Sequence, residues 1–122
     1  AAGADLAAQW GCDIEVGQTV MIDTGTAVAL PHGFVGLLVP RSSLCNKGGL
    51  TLVNSVGVLD EDYTGNIKFV YKNNGKRTVS IKTKERIGQL VITPVLRATF
   101  QGVSKLETTV RGSGGFGSTG KV

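Results

Sequence analysis

The chain has 122 residues, of which 41% are hydrophobic and 18% charged, and its formal net charge is +4. This length allows one domain with its own core, and the composition and short apolar runs indicate neither a disordered chain nor a membrane span. Because the 13 Lys and Arg residues are scattered and only 6% of the chain is aromatic, a small anion is a better partner than a nucleic-acid polymer.

Strand patterns follow one another along the chain, separated by glycine and proline, and helical periodicity is almost absent. A short helical turn is predicted from Ser43 to Lys47. Many short strands at this spacing predict an all-β fold, namely a sandwich, a jelly roll or a barrel. The predicted strands are Thr19 to Asp23, Thr26 to Leu30, Phe34 to Val39, Asn66 to Lys72, Arg77 to Lys82, Arg86 to Thr93 and Val95 to Phe100.

The sequence also predicts a hairpin in the second half of the chain. Ile67, Phe69 and Tyr71 alternate with polar residues, so they share one face of a strand. The segment Asn73-Asn74-Gly75 supplies residues that tolerate positive φ, and the segment from Arg77 to Lys82 alternates in the same way. We therefore expect these two strands to pair across a tight turn.

The composition changes sharply at Arg111, after which glycine dominates. We expect residues 1–110 to form a β domain and residues 111–122 to form a flexible C-terminal arm. Glycine is the residue whose backbone is most costly to order, so something other than the arm itself must order it. The arm nevertheless carries one large aromatic residue, Phe116, which a disordered tail would not need.

Most of the candidate chemistry lies in five segments: Ala2-Gly-Ala-Asp5-Leu6, Pro40-Arg-Ser-Ser-Leu44, Gly57-Val-Leu-Asp60-Glu-Asp-Tyr63-Thr-Gly65, Lys84-Glu-Arg-Ile-Gly-Gln89-Leu90 and the tail from Arg111 to Gly120. In this order, and with β-rich spacers, they resemble the motifs of the trimeric dUTP pyrophosphatase (dUTPase) family over essentially the whole chain. The resemblance implies a jelly-roll homotrimer with shared active sites that hydrolyses dUTP to dUMP and pyrophosphate with Mg²⁺. It also implies that the C-terminal arm closes over the nucleotide.

The resemblance assigns roles to individual residues. Asp60 would be the general base that activates water for attack on the α-phosphate, whereas Glu61 and Asp62 are predicted to be solvated turn residues. Tyr63 would pack beneath the deoxyribose and leave no room for a 2′-hydroxyl. Asp5 would reach Mg²⁺ through bound water, because Mg²⁺ keeps several waters and is held largely by substrate phosphates.

The other implied roles are in substrate binding. The uracil pocket would consist of Asn54 and the backbone of Gly57, Val58 and Leu59. In the arm, Phe116 would stack on the uracil, beside Gly117. The implied phosphate contacts are Arg41, Ser42, Ser43, Gln89, Arg111, Ser118 and Thr119.

Two alternatives remain open. The related dCTP deaminases share the fold but need a glutamate acting at the exocyclic amine of the base. A dUTPase-like protein could instead act mainly by binding another protein, with hydrolysis secondary or lost. In either case we expect an intracellular protein, cytoplasmic or nuclear, because the N-terminus shows no secretory signal. We expect it to bind neither a nucleic-acid polymer nor a membrane. Its origin could be a cell or a virus.

Overall fold

The structure, a computed structural model, describes residues 1–117 and 120, with Cys45 described only at its backbone. Within that part of the chain, one 3₁₀ turn, Ser42–Lys47, follows the fourth strand, close to the predicted turn. No helix there is long and apolar enough to cross a membrane. The strands are β1 (Ala4–Ala7), β2 (Cys12–Ile14), β3 (Thr19–Asp23), β4 (Phe34–Val39), β5 (Leu50–Leu52), β6 (Gly57–Leu59), β7 (Lys68–Asn73), β8 (Val79–Ile81) and β9 (Arg86–Pro94).

These strands form three antiparallel sheets. The largest has the order β1-β9-β4-β6, the second has the order β3-β7-β5, and β2 pairs with β8. The all-β, jelly-roll-like prediction is confirmed, although the described sheets stay open and do not close into a barrel. Residues far apart in sequence become neighbours, since β1 lies against β9 and β9 lies against β4.

The core lies between the sheets and is built from alternating strand residues. Ile67, Phe69 and Tyr71 are buried, as their spacing predicts, and the rings of Phe69 and Tyr71 stack with centroids 6.2 Å apart. The Tyr71 hydroxyl donates to the carbonyl of Ile87 on β9 at 2.5 Å. A buried hydroxyl needs a hydrogen-bond partner. Because this partner lies on β9, the bond joins the β7 sheet to the large sheet.

The predicted hairpin is wrong. β7 pairs with β3 and β5, whereas β8 pairs with β2. The Asn73 amide donates to the carbonyls of Ile14 and Arg77 at 2.8 and 2.7 Å, and its oxygen accepts the Gly75 N–H at 2.9 Å. Gly75 also packs so closely on Gly48 that an added Cβ would lie 1.7 Å from the Gly48 carbonyl oxygen. The Asn-Asn-Gly segment is therefore a corner between two sheets.

Two predicted strands are also wrong. The segment from Thr26 to Leu30 has alternating burial, and its Thr26 carbonyl accepts the Ile67 N–H at 2.8 Å, but it forms no ladder with any described strand. The segment from Val95 to Phe100 leaves the sheet after the Val95 N–H donates to the Gly33 carbonyl at 2.9 Å. Its residues are exposed, with no strand beside them in the described chain. Alternating side chains cannot make a strand where no neighbouring backbone is available to pair.

Candidate active site

A first group of candidate side chains lies where β1, β9 and β4 run side by side. Asp5 on β1 is paired in register with Gln89 on β9, and Gln89 is paired on its other side with Val39 on β4. Pro40 and Arg41 follow β4 directly, so the sheet brings three of the sequence motifs together. We call Asp5, Arg41, Arg86 and Gln89 the cationic group.

The Asp5 carboxylate in this group lies between two guanidinium groups. One of its oxygens is 3.1 Å from Nε of Arg41, and the other is 3.4 Å from a terminal nitrogen of Arg86. The sequence interpretation named Asp5 and Arg41 but missed Arg86. Its only signal was its place in the fourth motif, at the first residue of a predicted strand.

The side chain of Gln89 is held in place and does not point freely into solvent. Its amide donates to the carbonyl of Pro40 at 3.1 Å. It also lies over Gly3, where an added Cβ would be 2.3 Å from Oε1 of Gln89. Ser42 and Ser43 are exposed at the start of the 3₁₀ turn that follows Arg41. This end of the sheet therefore presents two guanidinium groups and two hydroxyls, all of which suit phosphate oxygens.

A second group surrounds β6, and we call it the β6 pocket. Its cavity volume is about 230 Å³. β6 pairs only with β4 among the described strands, and an edge strand leaves alternate N–H and C=O groups free for a ligand. Its lining includes the residues that the sequence assigned to the uracil pocket and to the sugar, namely Asn54, Gly57, Val58, Leu59 and Tyr63, but not Phe116.

Tyr63 forms one wall of the β6 pocket. Its hydroxyl donates to the carbonyl of Asn66 at 2.7 Å, and the residue is 43% exposed. The ring therefore has one anchored end and one accessible face. That arrangement suits a side chain that packs against a flat or cyclic ligand.

Asp60 follows β6 directly, is exposed, and faces a neighbouring concavity that Val58 also borders. Its carbonyl accepts the N–H of Tyr63 at 3.1 Å, which closes a turn between the two residues. The carboxylate is therefore beside the β6 pocket and open to solvent. This is a suitable position for a group that takes a proton from water.

Glu61, predicted to be a solvated turn residue, is instead held firmly. Its carboxylate accepts the Gly33 N–H at 2.9 Å, contacts Nδ1 of His32 at 3.0 Å and pairs with Arg97. Desolvation raises the pKa of the Glu61 carboxyl, but the Gly33 hydrogen bond and the contacts with His32 and Arg97 outweigh it, so its pKa lies below the ordinary value. The loop that carries Asp60 is thereby tied to the start of β4. Asp62 is exposed, as predicted.

The cationic group and the Asp60 end of β6 lie at different positions along the strand direction of the sheet. Leu59, just before Asp60, is opposite Gly36, whereas Gln89 is opposite Val39. These two β4 residues are three positions apart, which is about 10 Å along a strand. No described hydrogen bond or ion pair joins Asp60 to Arg41, Arg86 or Gln89.

The arm is described only as far as Gly117, and at residue 120. Arg111 donates through Nε to the carbonyl of Gly114 at 2.6 Å, and Phe116 is fully exposed. Gly117 has a positive φ of 81°. The predicted contacts Ser118 and Thr119 lie outside the described residues. Phe116 therefore does not pack against the hydrophobic core.

A bound metal would have one carboxylate in the cationic group. Within the described residues, no cluster of three or more His, Cys, Asp or Glu side chains could hold an ion. The Asp5 side chain is 33% exposed, and each of its oxygens has one guanidinium contact. The carboxylate therefore has room to contact a metal through a bound water. These residues fit Mg²⁺ that is carried mainly by phosphates, because Mg²⁺ retains its waters.

Comparison with known proteins identifies relatives over the whole chain. The family model described as dUTPase matches residues 1–120. The Desulfotalea psychrophila deoxyuridine 5′-triphosphate nucleotidohydrolase is 48% identical over 122 residues, which is 98% of this chain and 81% of that protein. The Cutibacterium acnes protein of the same name is 44% identical over 120 residues, covering 98% of this chain and 79% of the relative.

Solved structures with this fold include two phage dUTPases. The dUTPase of Staphylococcus bacteriophage 80alpha with dUpNHpp has a TM-score of 0.91 at 29% identity, over 99% of this chain and 87% of that one. A mutant dUTPase of Staphylococcus aureus phage phi11, described as coordinating a structural Mg(II) ion, has a TM-score of 0.80 at 26% identity, over 88% of this chain and 86% of that one.

Proposed function

The chain belongs to the dUTPase family, and we propose that it is a dUTP diphosphatase that hydrolyses dUTP to dUMP and pyrophosphate. One observation carries this proposal. The β6 pocket joins Asn54, the edge-strand backbone and Tyr63 in one concavity, and Asp60 follows the same strand. A base and sugar site thus has a carboxylate beside it.

The uracil is selected by the backbone of β6 and the Asn54 amide. Gly57 and Leu59 are buried, so the strand presents its polar edge in a fixed position. A backbone edge that satisfies the donor and acceptor of uracil leaves cytosine with mismatched groups, and each unpaired group costs about 1–3 kcal/mol. We expect thymine to be rejected because of its additional methyl group. The sugar packs on Tyr63, which excludes a 2′-hydroxyl.

Asp60 accepts the proton of the attacking water. The water attacks the α-phosphorus, the bond between the α-phosphorus and the bridging oxygen breaks, and pyrophosphate leaves. An exposed carboxylate at the edge of the pocket can hold such a water. The hydrogen bond from the Tyr63 N–H to the Asp60 carbonyl holds the backbone turn that carries this carboxylate.

The triphosphate is held by Arg41, Ser42, Ser43 and Gln89, and the geometry adds Arg86 to that set. Mg²⁺, when bound with the nucleotide, neutralises charge on the phosphate oxygens. Asp5 would hold this ion through a bound water, and its carboxylate also keeps the guanidinium groups of Arg41 and Arg86 oriented. Residues 111–122 form an arm, separate from the β domain of residues 1–110. The arm closes on the nucleotide: Phe116 stacks on the base and Arg111, Ser118 and Thr119 meet the phosphates, beside Gly117.

We also propose a homotrimer with shared sites, as the family resemblance implies. In it, Asp60 and the β6 pocket of one copy meet the cationic group of another, and the separation of the two groups on one chain supports this arrangement. The segment after β9 exposes large apolar residues, with Leu96 97% and Phe100 94% exposed. Such side chains are typical of surfaces that another chain covers. The setting is intracellular, where nucleoside triphosphates are found.

The test is to incubate the protein with dUTP, dCTP, dTTP or UTP and Mg²⁺ and to measure pyrophosphate and ammonia. We expect pyrophosphate from dUTP alone. Ammonia from dCTP would identify a deaminase, and no turnover of any nucleotide would favour a protein whose main task is to bind another protein.

A further inference from the structure

The ring of Tyr63 occupies the space in which a side chain at position 65 would begin. A Cβ built on Gly65 would be 2.7 Å from the Tyr63 hydroxyl oxygen, 2.9 Å from Cζ and 3.2 Å from Cε1. Gly65 is not among the glycines with positive φ, so its backbone does not adopt the left-handed conformation that favours glycine. Glycine is needed here because of the ring and not because of the backbone conformation.

The hydroxyl end of the same ring is anchored to a rigid part of the chain. The Tyr63 hydroxyl donates to the Asn66 carbonyl at 2.7 Å. The next residue, Ile67, donates its N–H to the Thr26 carbonyl at 2.8 Å, and its own carbonyl accepts the N–H and the hydroxyl of Thr24 at 3.0 and 2.7 Å. Ile67 is 1% exposed. The acceptor of the Tyr63 hydroxyl therefore has little freedom to follow a displaced ring.

A methyl group at position 65 would thus act on the ring before it acts on the fold. The atoms that it would meet are the far end of a side chain with two rotatable bonds, and they are neither backbone nor buried core. The ring would move, and its hydrogen bond to Asn66 would lengthen or break. Because Tyr63 lines the β6 pocket, this displacement would alter the wall against which a sugar packs.

We propose that Gly65 is a positioning residue for sugar selection: the absence of its Cβ seats the Tyr63 ring at the height that admits 2′-deoxyribose and excludes ribose. This inference rests on the proposed function, since it deepens the role of the β6 pocket. Selection between two close-packed sugars depends on ring placement within a few tenths of an ångström, because the repulsion that excludes an extra oxygen falls off steeply with distance.

The test compares Gly65→Ala with wild type by two readouts. The first is the ratio of kcat/KM for dUTP to kcat/KM for UTP, and the second is the ratio of the Kd values of UMP and dUMP, which needs no turnover. In Gly65→Ala we expect both ratios to fall by about tenfold or more, a usual size for steric discrimination in a pocket. Thr64→Ala is the matched control, because Thr64 lies in the same loop and is exposed, and it should leave both ratios unchanged.

A second pair of variants tests whether the effect acts through the ring. Tyr63→Ala should lose sugar selection, and adding Gly65→Ala to it should change the ratios no further. The inference is overturned if Gly65→Ala keeps the wild-type ratios, or if it lowers them equally with and without the Tyr63 ring. A wild-type protein that binds dUMP selectively but hydrolyses no dUTP would contradict the proposed function alone, since the Kd ratios would still test Gly65.

Discussion

At the scale of single residues, Asp60 and its neighbour Glu61 have different surroundings. Asp60 is exposed beside the β6 pocket, whereas Glu61 is committed to the Gly33 amide, His32 and Arg97. A carboxylate with three partners is a poor proton acceptor, because those partners favour its charged form. The structure therefore favours Asp60 as the base and Glu61 as the residue that fixes the loop.

Replacing Asp60 by asparagine should remove the base with little change in shape. We expect turnover of dUTP to fall by about two to four decades, the usual contribution of a general base, while nucleotide affinity changes little. Calorimetric titration with dUpNHpp and a pyrophosphate assay would measure both. Asp62→Asn, in the same exposed turn, is the control. An equal loss of affinity and turnover would mean that Asp60 has a structural role.

The sequence predicted Gly57, Val58, Leu59 and Tyr63 of the β6 pocket because one motif carries them, whereas Leu38 joins the lining from β4 and was not predicted. It could not predict the partners of Glu61 or the contribution of Arg86. His32 is 29 positions from Glu61, and Arg86 is 81 positions from Asp5. Only the sheet order creates those contacts.

At the scale of elements, charged side chains join loops that the sheets leave separate. Glu85 lies just before β9. Its carboxylate is 2.6 Å from Nζ of Lys47 in the 3₁₀ turn and accepts the Lys82 N–H at 2.9 Å. Desolvation raises the pKa of the Glu85 carboxyl, but the Lys47 and Lys82 contacts outweigh it, so the folded-state pKa is lowered from 4.5. Alternation predicted β3, β4, β7, β8 and β9, but it also predicted two segments that form no strand. It did not predict the corner at Asn73, whose amide reaches the Ile14 carbonyl 59 positions away.

The lowered pKa of Glu85 gives stability a definite dependence on pH. Because the folded-state pKa lies below the unfolded value of 4.5, this contribution is complete above that pH and is lost as the pH falls through the folded pKa. Glu85→Gln should therefore have a lower Tm than wild type at about pH 6 and a smaller further loss at about pH 3. Thermal melts across that range would measure both values.

The control for this variant is Glu107→Gln, since Glu107 is exposed in the segment after β9. It should follow the wild-type curve throughout. If Glu85→Gln also loses Tm in parallel with wild type as the pH falls, the Lys47 ion pair makes no pH-linked contribution.

At the scale of the whole molecule, the two groups of candidate side chains lie apart on one chain. The β6 pocket, at about 230 Å³, is smaller than the roughly 300–1,000 Å³ of typical ligand sites, and the cationic group lies at another height of the sheet. The sequence predicted an all-β fold but not this separation, which depends on strand register. We propose that the assembly of several copies completes a dUTP-hydrolysing site.

The most direct measurement is pyrophosphate release from dUTP by a mixture of Asp60→Asn and Arg41→Ala chains, unfolded and refolded together. Each variant alone should be nearly inactive. If Asp60 and Arg41 of one site come from different copies, random assembly restores about a quarter of the sites, with a matching fraction of wild-type activity. A refolded mixture that stays as inactive as its components, beside a wild-type protein that regains activity after the same treatment, would contradict the claim.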